Sequence, residues 1–495
     1  IRAGQALRQE AIDPISAPRL GHALGNWLHA HWNQATLEPA VPANTSPPLA
    51  QSHTVVKSIA SPQRGRRYAN EEVMKTAVPI THEVDVLVVG GGSSGAMAAI
   101  AAARQGAHTM LDEFNAGLGG RGPFGGVNSY WFGRRVGFAA EISEQTAALQ
   151  AILGQPPPAG TVPRWNIEAK TEALLNMAEA AGVALLFNTA VFGAVVSGNR
   201  VCGVAGASPK GPEIILSQLI IDATGDGDVA AHAGADFVYG TDRDHAVMWY
   251  SLAQFARPGR TRNNFTSMVD VGNTADYTRA ILAGRRRGRE RSVEHGIYVA
   301  PRESRHILGE VTLTLTDQLL QRAWHDVVNI AFSNHDVKGH SDSDWLRLGL
   351  IPPNLAVEIP YRALLPQNLE GILVVGKAIS ARHDALPAIR MQADMENLGG
   401  AAGLAAALAV QSNVLPRHLD VAGLQSRLVA AGVLPTSVGR RQLRPWQVTE
   451  DDLPSLVAAV ANDRPWHSYS DMGMTEQFRG SIPLVDLSCA GPTAV

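Results

Sequence analysis

Between residues 83 and 126 the chain reads EVDVLVVGGGSSGAMAAIAAARQGAHTMLDEFNAGLGGRGPFGG, and this order admits few folds. Val84 to Val89 is apolar and β-branched apart from Asp85, as expected of a parallel strand covered on both faces. Gly90, Gly92 and Gly95 follow as GxGxxG. The first permits a tight turn, the second lets backbone approach a pyrophosphate, and the third lets a helix press on the strand. Ser93 and Ser94 stand at the helix start, where unpaired N–H groups favour an anion. The alanine-rich helix stops near Gly106. A second strand, His108 to Leu111, leads to Glu113, placed to accept hydrogen bonds from ribose hydroxyls. The unit predicts a dinucleotide site without distinguishing NAD from FAD.

A formal net charge of −3 gives no general attraction to nucleic acid. Cys202 and Cys489 are the two cysteines, so a cysteine-held zinc site, a four-cysteine cluster and a CxxC redox pair are excluded within the chain. Apolar runs such as Ala401–Val410 are too short to span a bilayer. We expect a soluble protein, cytoplasmic rather than exported, although the first residue, Ile1, fits a processed chain as well. No metal is expected. His29 and His31, two apart on a predicted helix, do not share a face, and His335, Asp336, His340, Asp342 and Asp344 match no ligand spacing and read as a polar loop.

Four regions are expected: an N-terminal extension over 1–82, a cofactor domain over 83–240 plus 366–412, an inserted α+β substrate domain over 241–365, and a helical C-terminal extension over 413–495. Tyr130, Trp131, Phe132, Arg134 and Arg135 either line a cavity or divide between core and surface. EAKTEALLNMAEAA, residues 168–181, has helical spacing. After it come VALLFNTAVFGAVV, NRVCGVAGA and EIILSQLIIDATG, a strand, an antiparallel meander and a return strand ending at Thr224, Gly225 and Asp226. Arg285 to Arg291 is a basic run read as a solvated face, and PRESRHILGE either holds a carboxylate or forms an internal ion-pair network. Near the end, Gly399, Gly400 and Gly403 among alanines predict a tightly packed helix.

Three separated stretches, VVGGGSSG with Glu113, IIDATGDGDVAAHAGA, and GKAISARHDALPAIRMQADMENLGGAAGLAAALA, together resemble the FAD-dependent oxidoreductases of the glutathione-reductase-like flavoprotein superfamily. NSYWFGRRVGF, PRESRHILGE and IPYRALLP add a closer resemblance to the bacterial FAD-dependent oxidoreductase family over residues 83 to 410. The resemblance implies an α/β fold: a discontinuous Rossmann-like FAD-binding domain of glutathione-reductase type with the inserted domain and terminal extension above. It implies FAD bound non-covalently, since no histidine matches the covalent attachment site of the succinate dehydrogenase relatives. Gly90, Gly92, Gly95 and Ser94 would lie at the pyrophosphate and Glu113 at the adenosine ribose. The backbone of Val191 would meet adenine. Thr224, Gly225, Asp226 and Gly376 would belong to further FAD contacts, and Gly120, Arg121, Gly122 and Gly126 to the flavin-side loop. Gly400, Ala401 and Ala402 would open a helix beside the flavin pyrimidine. Asp112 departs from the pattern at a usually apolar position, as does the Arg121–Phe124 sequence.

The expected reaction is hydride removal from a small organic substrate by a dehydrogenase or oxidase. His383 is the candidate base, and Arg302, Arg305 and Arg390 are candidates for holding a carboxylate or an oxyanion. Alternatives are a redox-neutral isomerase or hydratase, and a flavin-bearing electron-transfer or scaffold subunit whose terminal extensions join a homo- or hetero-oligomer. Oxygen, a quinone or a partner protein are the open electron acceptors.

Overall fold

A computed structural model describes residues 54–55, 78–154, 164–257, 260–266, 269, 274–288, 294–320, 322–339, 341–343, 346 and 355–436, all within one compact unit. The His29/His31 patch, His340, Asp344, Arg289, Arg291 and a helix expected at 453–463 lie outside the described residues.

The parallel sheet is built where the apolar β-branched runs predict it. Thr54–Val55 (β1) is a short edge strand, and Ile80–Val89 (β2) is buried from Val86 onward. Asp85 is tolerated near the start of β2 because its carboxylate accepts from the His108 N–H at 2.9 Å and the Gln218 side chain at 2.6 Å. The helix Ser93–Arg104 (α1) crosses to Thr109–Glu113 (β3). Gly137–Ile152 (α2) and Ile167–Ala181 (α3) lead to Ala184–Phe187 (β4). Then Ala190–Ser197 (β5), Arg200–Ser208 (β6) and Gly211–Asp222 (β7) run back and forth.

β2 lies between β3 and β7, β4 extends the sheet beyond β3, and all four are parallel. The twelve-residue β7 joins the antiparallel and parallel parts of one eight-stranded sheet. Its first half pairs antiparallel with β6, and its last residues pair in parallel with a strand from far along the chain, Ile372–Val374. The strand predicted at GILVV thus returns to the sheet begun at residue 80.

Between these halves come Asp228–His232 (α4), Phe237–Tyr239 (β8), Tyr250–Arg257 (β9), Arg260–Thr266 (β10), Thr274–Gly288 (α5), Glu294–Ala300 (β11), Arg305–Ile307 (β12), Leu315–Leu319 (α6), Val327–Ser333 (β13) and Leu355–Pro360 (β14). They form a three-stranded sheet, β10-β9-β11, and two pairs, β12-β8 and β13-β14. With Ile372–Val374 counted as β15, the chain ends its described part in Leu386–Ile389 (α7), Gln392–Gln411 (α8) and Val421–Ala430 (α9).

Close packing of α8 on α1 sets the core. A Cβ added at Gly399 would overlap the Ser94 carbonyl, and one at Gly403 the Ala98 carbonyl. The facing helix supplies Ala98, Ala101 and Ala102, so the backbones approach as closely as small residues permit.

One expectation needs correction. Gly400, Ala401 and Ala402 do not open a helix: α8 starts at Gln392, two turns earlier, and these residues lie mid-helix and buried. A Cβ at Gly400 would overlap the Phe138 ring, so its smallness serves packing. The end that carries the helix's partial positive charge is at Met391–Asp394.

Candidate active site

The glycine turn after β2 has the shape that a pyrophosphate requires. Gly90 has φ +96°, and a Cβ there would strike the backbone of Ala223 and Thr224. At Gly95 it would overlap the Gly90 carbonyl, which fixes α1 against the turn. At Gly92 it would meet nothing within 4 Å, so backbone faces open space at the head of α1. Ser94 is buried beside this point and its Oγ has no partner. An orphaned hydroxyl at a helix N-terminus above an open glycine suits a phosphate oxygen.

Glu113 ends β3 beside the turn. Its Oε2 accepts from the Gly91 N–H, and its Oε1 accepts from the Asn115 N–H at 2.7 Å and side chain at 2.6 Å. The carboxylate is thereby fixed beside the glycine turn. Asp112, its buried neighbour, has no partner on either oxygen; burial, then Glu113 and Glu213, pushes it up to about 8.

At the end of β7, Asp222 folds the following turn onto itself. It accepts from the Thr224 N–H and hydroxyl at 3.1 and 2.7 Å and from the Ala230 N–H at 2.9 Å. Lys377, just past β15, donates to the Gly225 carbonyl and pairs with Asp226. Gly376 before it has φ +79°, and its Cβ direction points to Ser94 Oγ at 3.7 Å. Three sequence stretches thus converge on the head of α1. Val191 lies in β5 opposite Gly206.

The loop expected on the flavin side, residues 120–126, is closed by small residues. A Cβ at Gly120 would lie 2.7 Å from Gly92 Cα, and one at Gly122 would lie 2.9 Å from Gln392 Oε1. Gly126 has φ +65°. Tyr130 is buried, its hydroxyl donating to Glu396 at 2.6 Å, with Lys170 paired to the same carboxylate at 2.6 Å. Tyr130 therefore belongs to the core beneath α8, whereas Arg135 is exposed.

His383 lies beyond β15, almost wholly buried. Its Nδ1 is 2.7 and 2.8 Å from the two oxygens of Glu303, which also accepts from His306 Nε2 and the Met248 N–H, each at 2.9 Å. Burial pushes the Glu303 carboxyl up, but the bonds and charges of His306 and His383 hold it at about 2. An ionised carboxylate only accepts, so the His383 Nδ1 carries its hydrogen and Nε2 is the basic nitrogen.

Arg302 donates to the Trp249 carbonyl at 2.6 Å, one residue from the Met248 amide that binds Glu303. Arg390 contacts the Asp336 carbonyl and carboxylate, and Lys338 pairs with that carboxylate at 2.8 Å. Arg305 lies elsewhere: it pairs with Asp228 at 2.7 Å and the Asp226 carbonyl at 3.1 Å, bracing the β7 turn. Of the four residues expected in catalysis, His383 is held by Glu303 next to Arg302, Arg390 is held by Asp336, and Arg305 is held at the β7 turn.

Of the residues read as a polar loop, His335 and Asp336 are buried, as is the nearby Lys338. Among the described residues no group of histidines, cysteines and carboxylates could hold a metal ion. No helix among them is long and apolar enough to cross a membrane. Glu303, bound to His383, and Lys377, bound to the Asp226 turn, are contacts that the sequence pattern does not single out. Glu303 had a signal in its position between Arg302 and His306; Lys377 had none beyond its place after an apolar strand.

The family model described as "FAD dependent oxidoreductase" matches residues 85–291 and 270–428. No curated protein matches. Similar solved structures include a geranylgeranyl bacteriochlorophyll reductase-like protein from Thermoplasma acidophilum, 15% identical over 82% of this chain and 99% of that one, TM-score 0.35. Another is an anhydrotetracycline hydroxylase from Streptomyces rimosus, 16% identical over 77% of this chain and 74% of that one, TM-score 0.39. A third is a 3-ketosteroid dehydrogenase from Rhodococcus jostii, 14% identical over 67% of this chain and 98% of that one, TM-score 0.33.

Proposed function

The chain belongs to the FAD-dependent oxidoreductase family, and from that premise we propose that it is a dehydrogenase or oxidase acting on a C–H bond of a small organic substrate. The observation that carries this reading is the buried Glu303 carboxylate fixing His383 by Nδ1 at 2.7 Å. When bound, FAD supplies the two-electron acceptor for the substrate's hydride.

The chain's own residues supply the rest. Gly90, Gly92, Gly95 and Ser94 would cradle the pyrophosphate, and Glu113 would hold the ribose. Lys377 and Arg305 keep the Asp226 turn in place for the same ligand. Non-covalent binding is part of the proposal. At the reacting end, His383 Nε2 takes the hydroxyl or α-proton that leaves as the C–H bond breaks, and Glu303 stabilises the imidazolium so formed. Burial of both groups strengthens this electrostatic help and excludes water. Oxygen, a quinone or a partner protein would serve as the final electron acceptor.

Anaerobic mixing of the FAD-loaded protein with sugars, hydroxy acids, amines and polycyclic alcohols tests the reading. Bleaching of the flavin band by a member of the panel is expected. Product formed from one of these compounds with the flavin band unchanged would instead indicate a redox-neutral isomerase or hydratase.

A further inference from the structure

Arg302, Lys338 and Arg390 are three cationic side chains, each more than nine-tenths buried, drawn from three separate parts of the chain to one place. Two of them contact the carboxylate of Asp336, Lys338 at 2.8 Å and Arg390 at 3.2 Å. Arg302 is tied to them through Trp249, whose carbonyl it bonds and whose N–H donates to the Lys338 carbonyl at 2.9 Å. Burying a guanidinium without full hydrogen bonding is costly, and Arg390 Nε is buried with no partner. The loop that presents Asp336 and Lys338 is strained: His335, a non-glycine residue, has φ +53°. Strain of this kind persists where a site over-determines it.

Position gives the cluster a purpose. Arg302 adjoins Glu303, which holds His383, and Arg390 lies two residues before the start of α8. The flavin-side loop abuts both neighbourhoods, for a Cβ at Gly125 would lie 3.1 Å from Ala300 Cβ and one at Gly122 would lie 2.9 Å from Gln392 Oε1. Burial and the charge of Arg390 push the Arg302 guanidinium down to about 9, as crowded cations do.

We propose that Arg390, with Arg302 and Lys338, is the docking point for a carboxylate group of the substrate, so that the substrate class is a small organic acid held beside His383. This rests on the dehydrogenase or oxidase reading for the placement of the reacting bond, but not for the anion site itself. Arginine forks match carboxylate geometry, and Asp336 holds the Arg390 fork in position until the ligand arrives.

The test uses the FAD-loaded protein and anions that a flavin does not oxidise: acetate, benzoate and oxalate, with acetamide, benzamide and sodium sulfate as controls. The readouts are the flavin difference spectrum and the Tm. At least one carboxylate is expected to give a saturable spectral change and a rise in Tm, with its matching amide giving neither. Arg390→Met should weaken that carboxylate at least tenfold while FAD content is kept. If this variant loses FAD, Lys338→Met is read in its place with the same expectation. No saturable change from any of the three carboxylates, an equal change from amide or sulfate, or unaltered affinity in the variant read would overturn the proposal. Because no turnover is involved, it can fail while substrate bleaching succeeds, and the reverse.

Discussion

Replacing Asp112 with asparagine should stabilise the protein, and the gain should grow with pH in a defined window. Asp112 is 1% exposed, feels the charges of Glu113 and Glu213, and has no hydrogen-bond partner on either oxygen. Its carboxyl is raised from 3.8 to about 8 in the folded chain. The folded state therefore binds a proton that the unfolded state releases above pH 4. Stability is intact below the unfolded value and is lost as pH rises toward the folded one, levelling above it. At about 1.4 kcal/mol per unit, this shift costs about 4 kcal/mol at pH 7 and about 6 kcal/mol above pH 8. Urea unfolding of the FAD-saturated protein and of Asp112→Asn, from pH 4.5 to 9, measures it. The difference in unfolding free energy should be small at the acid end, climb by about 1.4 kcal/mol per unit, and flatten beyond about pH 8. A difference that does not change with pH would refute the assignment of a neutral, unpartnered carboxyl.

Three further outcomes follow from the site and the core. Glu303→Gln should lower the turnover number by about 10²- to 10⁴-fold with FAD content unchanged, because the amide can donate to His383 Nδ1 and so favours the wrong tautomer; steady-state kinetics with parallel flavin quantitation checks this. Glu113→Ala should weaken FAD by about 10-fold or more, from the loss of charge-assisted hydrogen bonds, as read by ultrafiltration of the flavin. Gly403→Ala should cost about 1–3 kcal/mol or more by overpacking, because its new Cβ would overlap the Ala98 carbonyl; a melting curve of the FAD-loaded variant reports it.

Much of the cofactor half was legible because its determinants are local. Gly90, Gly92, Gly95 and Glu113 fall within 24 consecutive residues, and the strand and helix periods around them allow one arrangement. The meander was equally open, since Gly198 and Gly211 mark its turns with φ +62° and +122°. The start of α8 is hidden in the sequence because Met391 supplies no side-chain cap and the glycine–alanine run two turns later resembles an opening. Legibility was poorest where chemistry depends on long separations. Glu303 meets His383 across 80 residues, and Arg390 meets Asp336 across 54. No periodicity encodes such pairs, so the pattern around His335 and Asp336 reads only as a polar loop, with no sign that both residues are buried.

The central claim is that His383, held by Glu303, takes the proton that accompanies hydride transfer to FAD. Its most direct test is the anaerobic rate of flavin reduction, in a single turnover by a substrate found in the screen, for the parent protein and for His383→Ala with equal FAD content. The reduction rate should be at least about 100-fold slower in the variant, on the order of a lost general base, with the flavin spectrum of the resting protein unchanged. Equal rates of bleaching in the two proteins would contradict it.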